Sequence, residues 1–374
     1  MKDVLAEQLL AKVLAWEPND IARERPILQA MAALKYDEYE QFSPGLRFLE
    51  SLALWLNQFE PADRQVAYRF VKSSLVFCSA GEMDHLVDTA YQDHIRPILL
   101  ARSARENNVS VRQVGRIASS AAFRSLQRQT LFLGLSDGAR IDTFRRANPD
   151  LNHEQIWQTH ELSGERVKKL LEKLSKHLSE IAGGTGATAK FSTIVLLDDF
   201  SASGTSYYAK SDSGPPGGKI ATFLQALADE QGALRQLCSP NGVEIIVLIY
   251  MATEHAIQHL RSSLAESITP GITAVHVDTV QLVPSQVRIV RGATEPEIVG
   301  LIEKYYNGAV HDVIFDVHLK KGGTTDGKYG YADCGLPVVL HHNTPNNSLA
   351  ILWFYERCAL RGLFPRVQRH REMT

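Results

Sequence analysis

The sequence TIVLLDDFSASGTS, residues 193–206, decides the fold class that we predict for this chain. Five β-favouring residues, 193–197, run without alternation into two carboxylates, Asp198 and Asp199. Such a run is typical of a strand that is buried on both faces, as in the centre of a parallel sheet. Ligands of open α/β sheets bind beyond the carboxyl ends of the strands. The two acids and the small residues after them therefore lie where we expect the binding site.

The turn after the acids, residues 201–206, has a composition that suits phosphate. Gly204 lets the backbone approach a ligand closely, and successive N–H groups can donate to one phosphate together with nearby hydroxyls. Those hydroxyls belong to Ser201, Ser203, Thr205 and Ser206. Asp198 and Asp199 suit sugar hydroxyls, or Mg²⁺, which prefers oxygen ligands and phosphates. A ribose 5-phosphate site is the interpretation that uses both kinds of group.

Residues 198–206, DDFSASGTS, resemble the phosphoribosyl pyrophosphate signature of type I phosphoribosyltransferases. That signature consists of an apolar strand, two acids, a variable pair, a small residue, Thr or Ser, Gly and a pair of hydroxyl residues. The resemblance implies that Asp198 and Asp199 hold the ribose hydroxyls. It also implies that residues 202–206, beginning with Ala202, wrap the 5-phosphate. An ordinary strand followed by a polar loop is the alternative.

A second apolar run that leads into a turn of small residues begins at residue 130. Residues 130–135, TLFLGL, are followed by SDGAR, residues 136–140. In the family that the signature resembles, the first strand leads into a short Gly-containing turn whose basic residue meets the pyrophosphate leaving group. Gly138 and Arg140 are the corresponding candidates, and Arg140 would neutralise the leaving group. Small-residue turns after strands are common, so an ordinary turn is the alternative.

One segment departs from the family pattern. The helix that helps to hold the 5-phosphate should begin at the end of the signature, but residues 207–219, YYAKSDSGPPGGK, intervene. Pro215, Pro216 and the two glycines after them are incompatible with a helix. Either a short turn forms at residues 205–210 and the rest is an inserted loop, or the phosphate site is modified.

The 374 residues suffice for two domains, and their patterns divide accordingly. In residues 1–125 the apolar positions have helical spacing, which predicts a helical accessory domain that could contact a protein partner. In residues 126–374 strands alternate with helices, which indicates a mostly parallel sheet with right-handed crossovers. The predicted fold class is α/β, with a type I phosphoribosyltransferase-like sheet and an N-terminal helical domain.

The C-terminal segment, residues 320–353, is the candidate for recognition of an acceptor. In type I enzymes a variable hood beside the sheet chooses the acceptor base, and here Asn346, Asn347 and Trp353 would read it or stack on it. A structural Asn turn is the alternative. The segment is also similar to the C-terminal sequence of phosphoribosyltransferase-like proteins of bacterial conflict systems, which implies a role in defence. The adjacent His341-His342 pair lacks acidic partners at ligand spacing, so we expect no metal site there.

Positive charge is concentrated between residues 102 and 128, where only Glu106 is acidic. The arginines of this cluster are Arg102, Arg105, Arg112, Arg116, Arg124 and Arg128. Such a cluster could contact RNA, DNA or a polyphosphate. No interleaved aromatic residues or established recognition pattern support nucleic acid, and we favour a solvated helix face or arginines that border the ligand cleft.

Composition argues against several other classes of protein. A formal net charge of −2 gives no general attraction to nucleic acid or to a membrane. The four cysteines have no CxxC or similar metal-binding spacing. No apolar run approaches the ~20 residues that span a bilayer, and the start of the chain is too charged for a signal peptide. We expect a soluble, cytoplasmic protein.

These patterns predict a protein that binds phosphoribosyl pyrophosphate, or a related ribose 5-phosphate ligand, together with Mg²⁺. A catalytic protein would displace pyrophosphate at the anomeric carbon, with Asp198 and Asp199 orienting the ribose. A non-catalytic sensor would keep the same site and use ligand binding to change its contacts with a partner protein or nucleic acid. The sequence identifies neither a general base nor an acceptor.

Overall fold

A computed structural model of the chain describes residues 3–159, 164–182, 189–211, 214–267, 271–306, 319–353 and 360–366. Its helices are α1 (Asp3–Val13), α2 (Pro18–Leu34), α3 (Phe48–Asn57), α4 (Pro61–Ser73), α5 (Ala80–Thr89), α6 (Arg96–Glu106), α7 (Val114–Ala118), α8 (Ala121–Arg128), α9 (Ile141–Ala147), α10 (Gly164–Ala182), α11 (Lys219–Ala228), α12 (Ala233–Leu237), α13 (Glu254–Ala265), α14 (Pro296–Lys304) and α15 (Ala350–Trp353). Its strands are β1 (Val76–Cys78), β2 (Thr130–Gly134), β3 (Ile156–Trp157), β4 (Thr193–Ser201), β5 (Val243–Thr253), β6 (Ile272–Val283) and β7 (Val338–Leu340).

Five of these strands form one parallel sheet in the order β3-β2-β4-β5-β6. The middle strand is β4, whose Thr193 pairs with Thr130 on one side and with Glu244 on the other. Residues 193–198 are buried without interruption, as the unalternated sequence predicted. The α/β fold class with a parallel sheet is therefore confirmed, and the strand that carries the two acids lies at the centre of that sheet.

Each face of the sheet is covered by apolar side chains of neighbouring helices. On one face, Leu196 of β4 belongs to a buried cluster with Leu174 of α10 and Phe223 of α11. On the other face, the ring of Phe132 in β2 packs against Tyr91 and Phe144, with ring centroids 6.0 and 5.3 Å apart. This double coverage explains why β4 needs apolar residues at every position up to its carboxyl end.

The chain divides into two compact units, one of residues 1–83 with 284–374 and the other of residues 84–283. This division differs from the boundary that we predicted between residues 125 and 126. In the first unit, β1 pairs in parallel with β7, and the N-terminal helices share a core with the C-terminal segment. In the second unit, Arg102 of α6 donates to Thr193 and Glu244 of the sheet. Both associations join residues that are distant in sequence, so local patterns could not reveal them.

Among the helices of the described ranges, none is both long enough and apolar enough to cross a membrane.

Candidate functional site

The loop after β2 and the end of β4 meet at the carboxyl edge of the sheet. Ser136 Oγ donates to Asp198 Oδ1 over 2.5 Å. A Cβ atom on Gly138 would lie 2.4 Å from Asp199 Oδ2, which is closer than a side chain can come. The fold thus brings together the two stretches that the sequence patterns selected separately.

Asp198 is fully buried beneath this edge. Its Oδ1 accepts hydrogen bonds from Ser136 and from the Asp199 N–H group, and its Oδ2 lies 2.5 Å from Lys219 Nζ. Burial, and then repulsion from Asp199, raises the pKa of Asp198, whereas Lys219 acts in the opposite direction. Because both oxygens have partners within the protein, Asp198 does not present a carboxylate to a ligand.

Asp199 is the accessible member of the pair. Its side chain is half-buried, and its Oδ1 accepts the N–H group of Phe200 over 2.8 Å. The two acids differ because successive side chains of a strand project to opposite faces, and both residues belong to β4. The sequence predicted one role for both carboxylates, but the structure gives them separate environments.

The turn at residues 201–206 packs against α13. Gly204 has φ +78°, and a Cβ atom there would lie 2.8 Å from His259 Cδ2. Ala202 is fixed from the same side, since its carbonyl accepts the hydroxyl of Thr253 over 2.6 Å. Residues 201–204 are buried, Thr205 is half-buried and Ser206 is exposed. The accessible end of the turn is therefore at residues 205–206.

Several polar groups of this turn have no partner among the described residues. The N–H groups of Ser203, Gly204 and Ser206 donate to no acceptor there, and the buried hydroxyl of Ser201 also lacks one. The Ser203 and Thr205 hydroxyls lie 2.8 Å apart. Buried donors without acceptors are costly. Three N–H groups in one tight turn therefore form a suitable site for an oxyanion.

The insertion at residues 207–219 leaves the turn and returns to it. Ala209 and Gly217 exchange two backbone hydrogen bonds of 2.8 and 2.9 Å, although residues 212–213 between them lie outside the described residues. The Lys219 N–H group then donates to the Ser206 carbonyl over 3.1 Å, and α11 begins there. Of the two alternatives left by the sequence, the inserted loop is therefore the one observed. The helix after the signature is delayed in sequence but begins beside the turn.

Lys219 is a site residue that the sequence reading missed. Its Nζ forms the ion pair with Asp198 and lies 4.9 Å from the centroid of the Tyr207 ring. Tyr207 is itself fixed, because its hydroxyl donates to the Phe200 carbonyl over 2.8 Å. The only local signal was a lysine directly after two glycines, at the start of a helical pattern. That signal does not indicate a partner 21 residues earlier.

Arg140 follows the same loop as Gly138 and adopts a left-handed conformation, with φ 47° and ψ 44°. Its Nη2 lies 2.9 Å from Asp84 Oδ1 of α5, and about a quarter of its side chain is exposed. Tyr250 of β5 holds the loop after β2, because its hydroxyl donates to the Ala139 carbonyl over 2.8 Å. Arg140 thus lies at the sheet edge in a position fixed by α5.

The predicted acceptor-reading residues belong to the other compact unit. Asn347 is buried, and its amide donates to the Tyr331 carbonyl and to the Cys334 sulfur. The Asn346 carbonyl accepts the Tyr331 N–H group over 2.8 Å. Trp353 is 1% exposed, and its Nε1 donates to the Ser348 carbonyl. The expectation that Trp353 stacks on a ligand is therefore wrong, because its ring is part of the core.

The arginine cluster does not form one exposed surface. Arg102 bonds to Glu106, Thr193 and Glu244, so it is part of the internal structure. Arg128 is 3% exposed and donates to His177. The remaining four arginines, Arg105, Arg112, Arg116 and Arg124, are exposed. No observation on these residues favours nucleic acid over a solvated surface.

Nowhere in the described residues do three His, Cys, Asp or Glu side chains come together in a group that could hold a metal ion.

Among known protein families, the model of the family PRTase-CE matches residues 52–366. The matched range includes the parallel sheet. It also includes helices before residue 126, although the sequence patterns predict a separate accessory domain there. No curated protein and no solved structure matches the chain.

Proposed function

Because the chain belongs to the phosphoribosyltransferase-like family PRTase-CE, we propose that it binds phosphoribosyl pyrophosphate or a related ribose 5-phosphate ligand. The observation that carries the proposal is that an anion-binding turn and an accessible carboxylate lie side by side at the carboxyl end of β4. The turn at residues 203–206 has three N–H groups without acceptors, and the half-exposed carboxylate of Asp199 precedes it on the same strand. An oxyanion site directly beside an acceptor of sugar hydroxyls matches a phosphorylated pentose.

The 5-phosphate would occupy the turn. N–H groups of Ser203, Gly204 and Ser206 would donate to its oxygens, with the hydroxyl of Thr205 at the accessible end. Hydrogen bonds to a charged group contribute about 1.5–3 kcal/mol each. The turn therefore supplies enough binding free energy to select a phosphorylated sugar over the free sugar.

The carboxylates fit Mg²⁺ only in part. Both oxygens of Asp198 are occupied by Ser136, Asp199 and Lys219, so Asp198 does not suit the ion. Asp199 alone would hold it, together with oxygens of the ligand, and Mg²⁺ commonly binds through one or two carboxylates plus phosphates. When bound, the ion would neutralise charge on the pyrophosphate group.

The proposed reaction is displacement at the anomeric carbon. The bond between that carbon and a pyrophosphate oxygen breaks, while an acceptor, or water in hydrolysis, forms the new bond and loses its proton. Asp199 would orient the ribose and stabilise positive charge on the ring, and Arg140 would meet negative charge on the departing pyrophosphate. Electrostatic placement of this kind is often the largest single contribution to catalysis.

A non-catalytic phosphosugar sensor is the second candidate. The burial of Asp198 favours it, because only one of the two acids remains to stabilise charge on the ring. A sensor would also suit the bacterial conflict systems that the C-terminal sequence resembles.

Calorimetry with phosphoribosyl pyrophosphate and Mg²⁺ tests the binding proposal. We expect saturable binding at one site per chain and much weaker binding of unphosphorylated ribose. An absence of binding heat at several temperatures, with no shift of the thermal unfolding midpoint, would reject the proposal. Release of pyrophosphate in the same mixture, measured over hours with candidate acceptors, separates the enzyme from the sensor.

Gly138→Ala is expected to weaken the binding of phosphoribosyl pyrophosphate by about 10-fold or more, the equivalent of one charged contact. The new Cβ atom would overlap Asp199 Oδ2, so the carboxylate must move. Gly164→Ala is the matched control, because a Cβ atom there meets no atom of the described residues within 4 Å. Equal affinities of the two variants, measured by calorimetry, would show that the position of Asp199 is not important for binding.

A further inference from the structure

The ion pair between Lys219 and Asp198 joins an accessible group to a buried one. The Lys219 side chain is 35% exposed, whereas that of Asp198 is 0% exposed. The carboxylate of Asp198 therefore cannot contact a ligand directly. Lys219 is the group through which this carboxylate can influence the surface of the site.

The ammonium of Lys219 has unused hydrogen-bonding capacity. An ammonium carries three N–H donors, and within the described residues its only acceptor is Asp198 Oδ2. The Tyr207 ring lies on another side, 4.9 Å from Nζ, and restricts where the side chain can go. At least one donor consequently remains for a ligand, at a position fixed by two neighbours.

The position of Lys219 lies between the two candidate anion sites. Its backbone N–H group bonds to Ser206, at the accessible end of the turn. Its Nζ shares the carboxylate of Asp198 with Ser136, which begins the loop of Gly138 and Arg140. A cation placed between a phosphate turn and a pyrophosphate loop is within reach of a ligand that bridges them.

We propose that Lys219 is a ligand-binding residue that donates to a phosphate oxygen of the bound phosphosugar, and that Asp198 positions it. This inference rests on the proposed function. It assigns Asp198 a role different from that of Asp199, since Asp198 acts through Lys219 and does not touch the ligand. It also gives the buried carboxylate of Asp198 a function in the site.

The alternative is that Lys219 only neutralises a buried carboxylate. The double variant Asp198→Asn with Lys219→Met separates the two roles, because it removes both charges at once. The net charge stays the same, and no unpaired charge is left in the interior. The protein should therefore remain folded, with a thermal unfolding midpoint close to that of the parent.

The probes are inorganic pyrophosphate and ribose 5-phosphate, each titrated by calorimetry at constant Mg²⁺. We expect the double variant to bind at least one of them about 10- to 100-fold more weakly, the effect of one charge-assisted hydrogen bond. Weaker binding of ribose 5-phosphate by the double variant would place Lys219 at the 5-phosphate. Weaker binding of pyrophosphate would place it at the leaving group. Lys219→Arg, which keeps the charge and the ion pair, should retain most of the affinity.

A second double variant provides the control. Lys210→Met with Glu266→Gln removes an exposed ion pair between the insertion and the end of α13, and we expect parental affinity for both probes. Parental affinity of the Asp198→Asn, Lys219→Met protein for both probes would overturn the proposal. If instead the parent itself binds neither probe nor phosphoribosyl pyrophosphate, the proposed function fails, and the two failures are thereby distinguished.

Discussion

Gly204→Ala is expected to weaken the binding of phosphoribosyl pyrophosphate and of ribose 5-phosphate by about 10²- to 10⁴-fold, the loss of two hydrogen bonds to a charged group. The backbone of Gly204 has φ +78°, which side chains disfavour, and the new Cβ atom would lie 2.8 Å from the His259 ring. His259 cannot yield freely, because its Nε2 is 2.8 Å from the Tyr208 carbonyl. The turn must therefore shift, and its N–H groups no longer converge on one phosphate.

Gly292→Ala is the matched control for this variant. Gly292 has the same φ of +78°, but within the part of the chain that the structure describes a Cβ atom there meets nothing closer than 4 Å. The control carries the same backbone strain without the overlap, so it isolates the effect of moving the turn. Calorimetry on both variants, with unfolding midpoints measured in parallel, gives the comparison. A Gly204→Ala protein that binds ribose 5-phosphate as tightly as the control would remove the turn from the site.

Asp199→Asn has the second largest expected effect, a loss of about 10²-fold in affinity for phosphoribosyl pyrophosphate at saturating Mg²⁺, as for one strong contact to a charged group. Asparagine keeps the shape of the side chain and can still accept the Phe200 N–H group, so the strand end should not change. What disappears is the accessible negative charge. We therefore also expect the affinity of the variant to depend much less on the concentration of Mg²⁺.

Asp142→Asn is the control for loss of a carboxylate in the same unit. Asp142 is 71% exposed, and its carboxylate pairs with Arg145 within α9. Its replacement changes the net charge by the same amount. Isothermal titrations over a range of Mg²⁺ concentrations compare the two variants. Unchanged affinity and unchanged Mg²⁺ dependence in Asp199→Asn would mean that this acid has no part in binding.

The relation between the two acids bears on the choice between enzyme and sensor. If Asp198 serves to position Lys219, the site presents one carboxylate and one ammonium where the sequence predicted two carboxylates. Such a site retains strong affinity for phosphates but has less negative charge near the sugar ring. Pyrophosphate release is therefore the decisive measurement, because binding alone is expected for both candidates.

Local sequence patterns were sufficient to predict the central strand and its carboxyl end. An uninterrupted apolar run, two acids and a turn around Gly204 are local features, and local features fix whether a segment is a buried strand and where it ends. The same reasoning located the second loop, in which the carboxylate of Asp199 lies against Gly138. The resemblance to phosphoribosyltransferases was read from these local features, and the family match over residues 52–366 agrees with it.

Which side chains share the site, and which segments share a compact unit, became visible only in the folded chain. Lys219 reaches Asp198 because an insertion closes on itself and returns α11 to the turn. Residues 284–374 join the N-terminal helices because β1 pairs with β7. These contacts depend on how distant segments pack, and neither residue type nor spacing encodes a partner of that kind. Periodicity reports the environment of a residue, whereas its neighbours are set by the path of the whole chain.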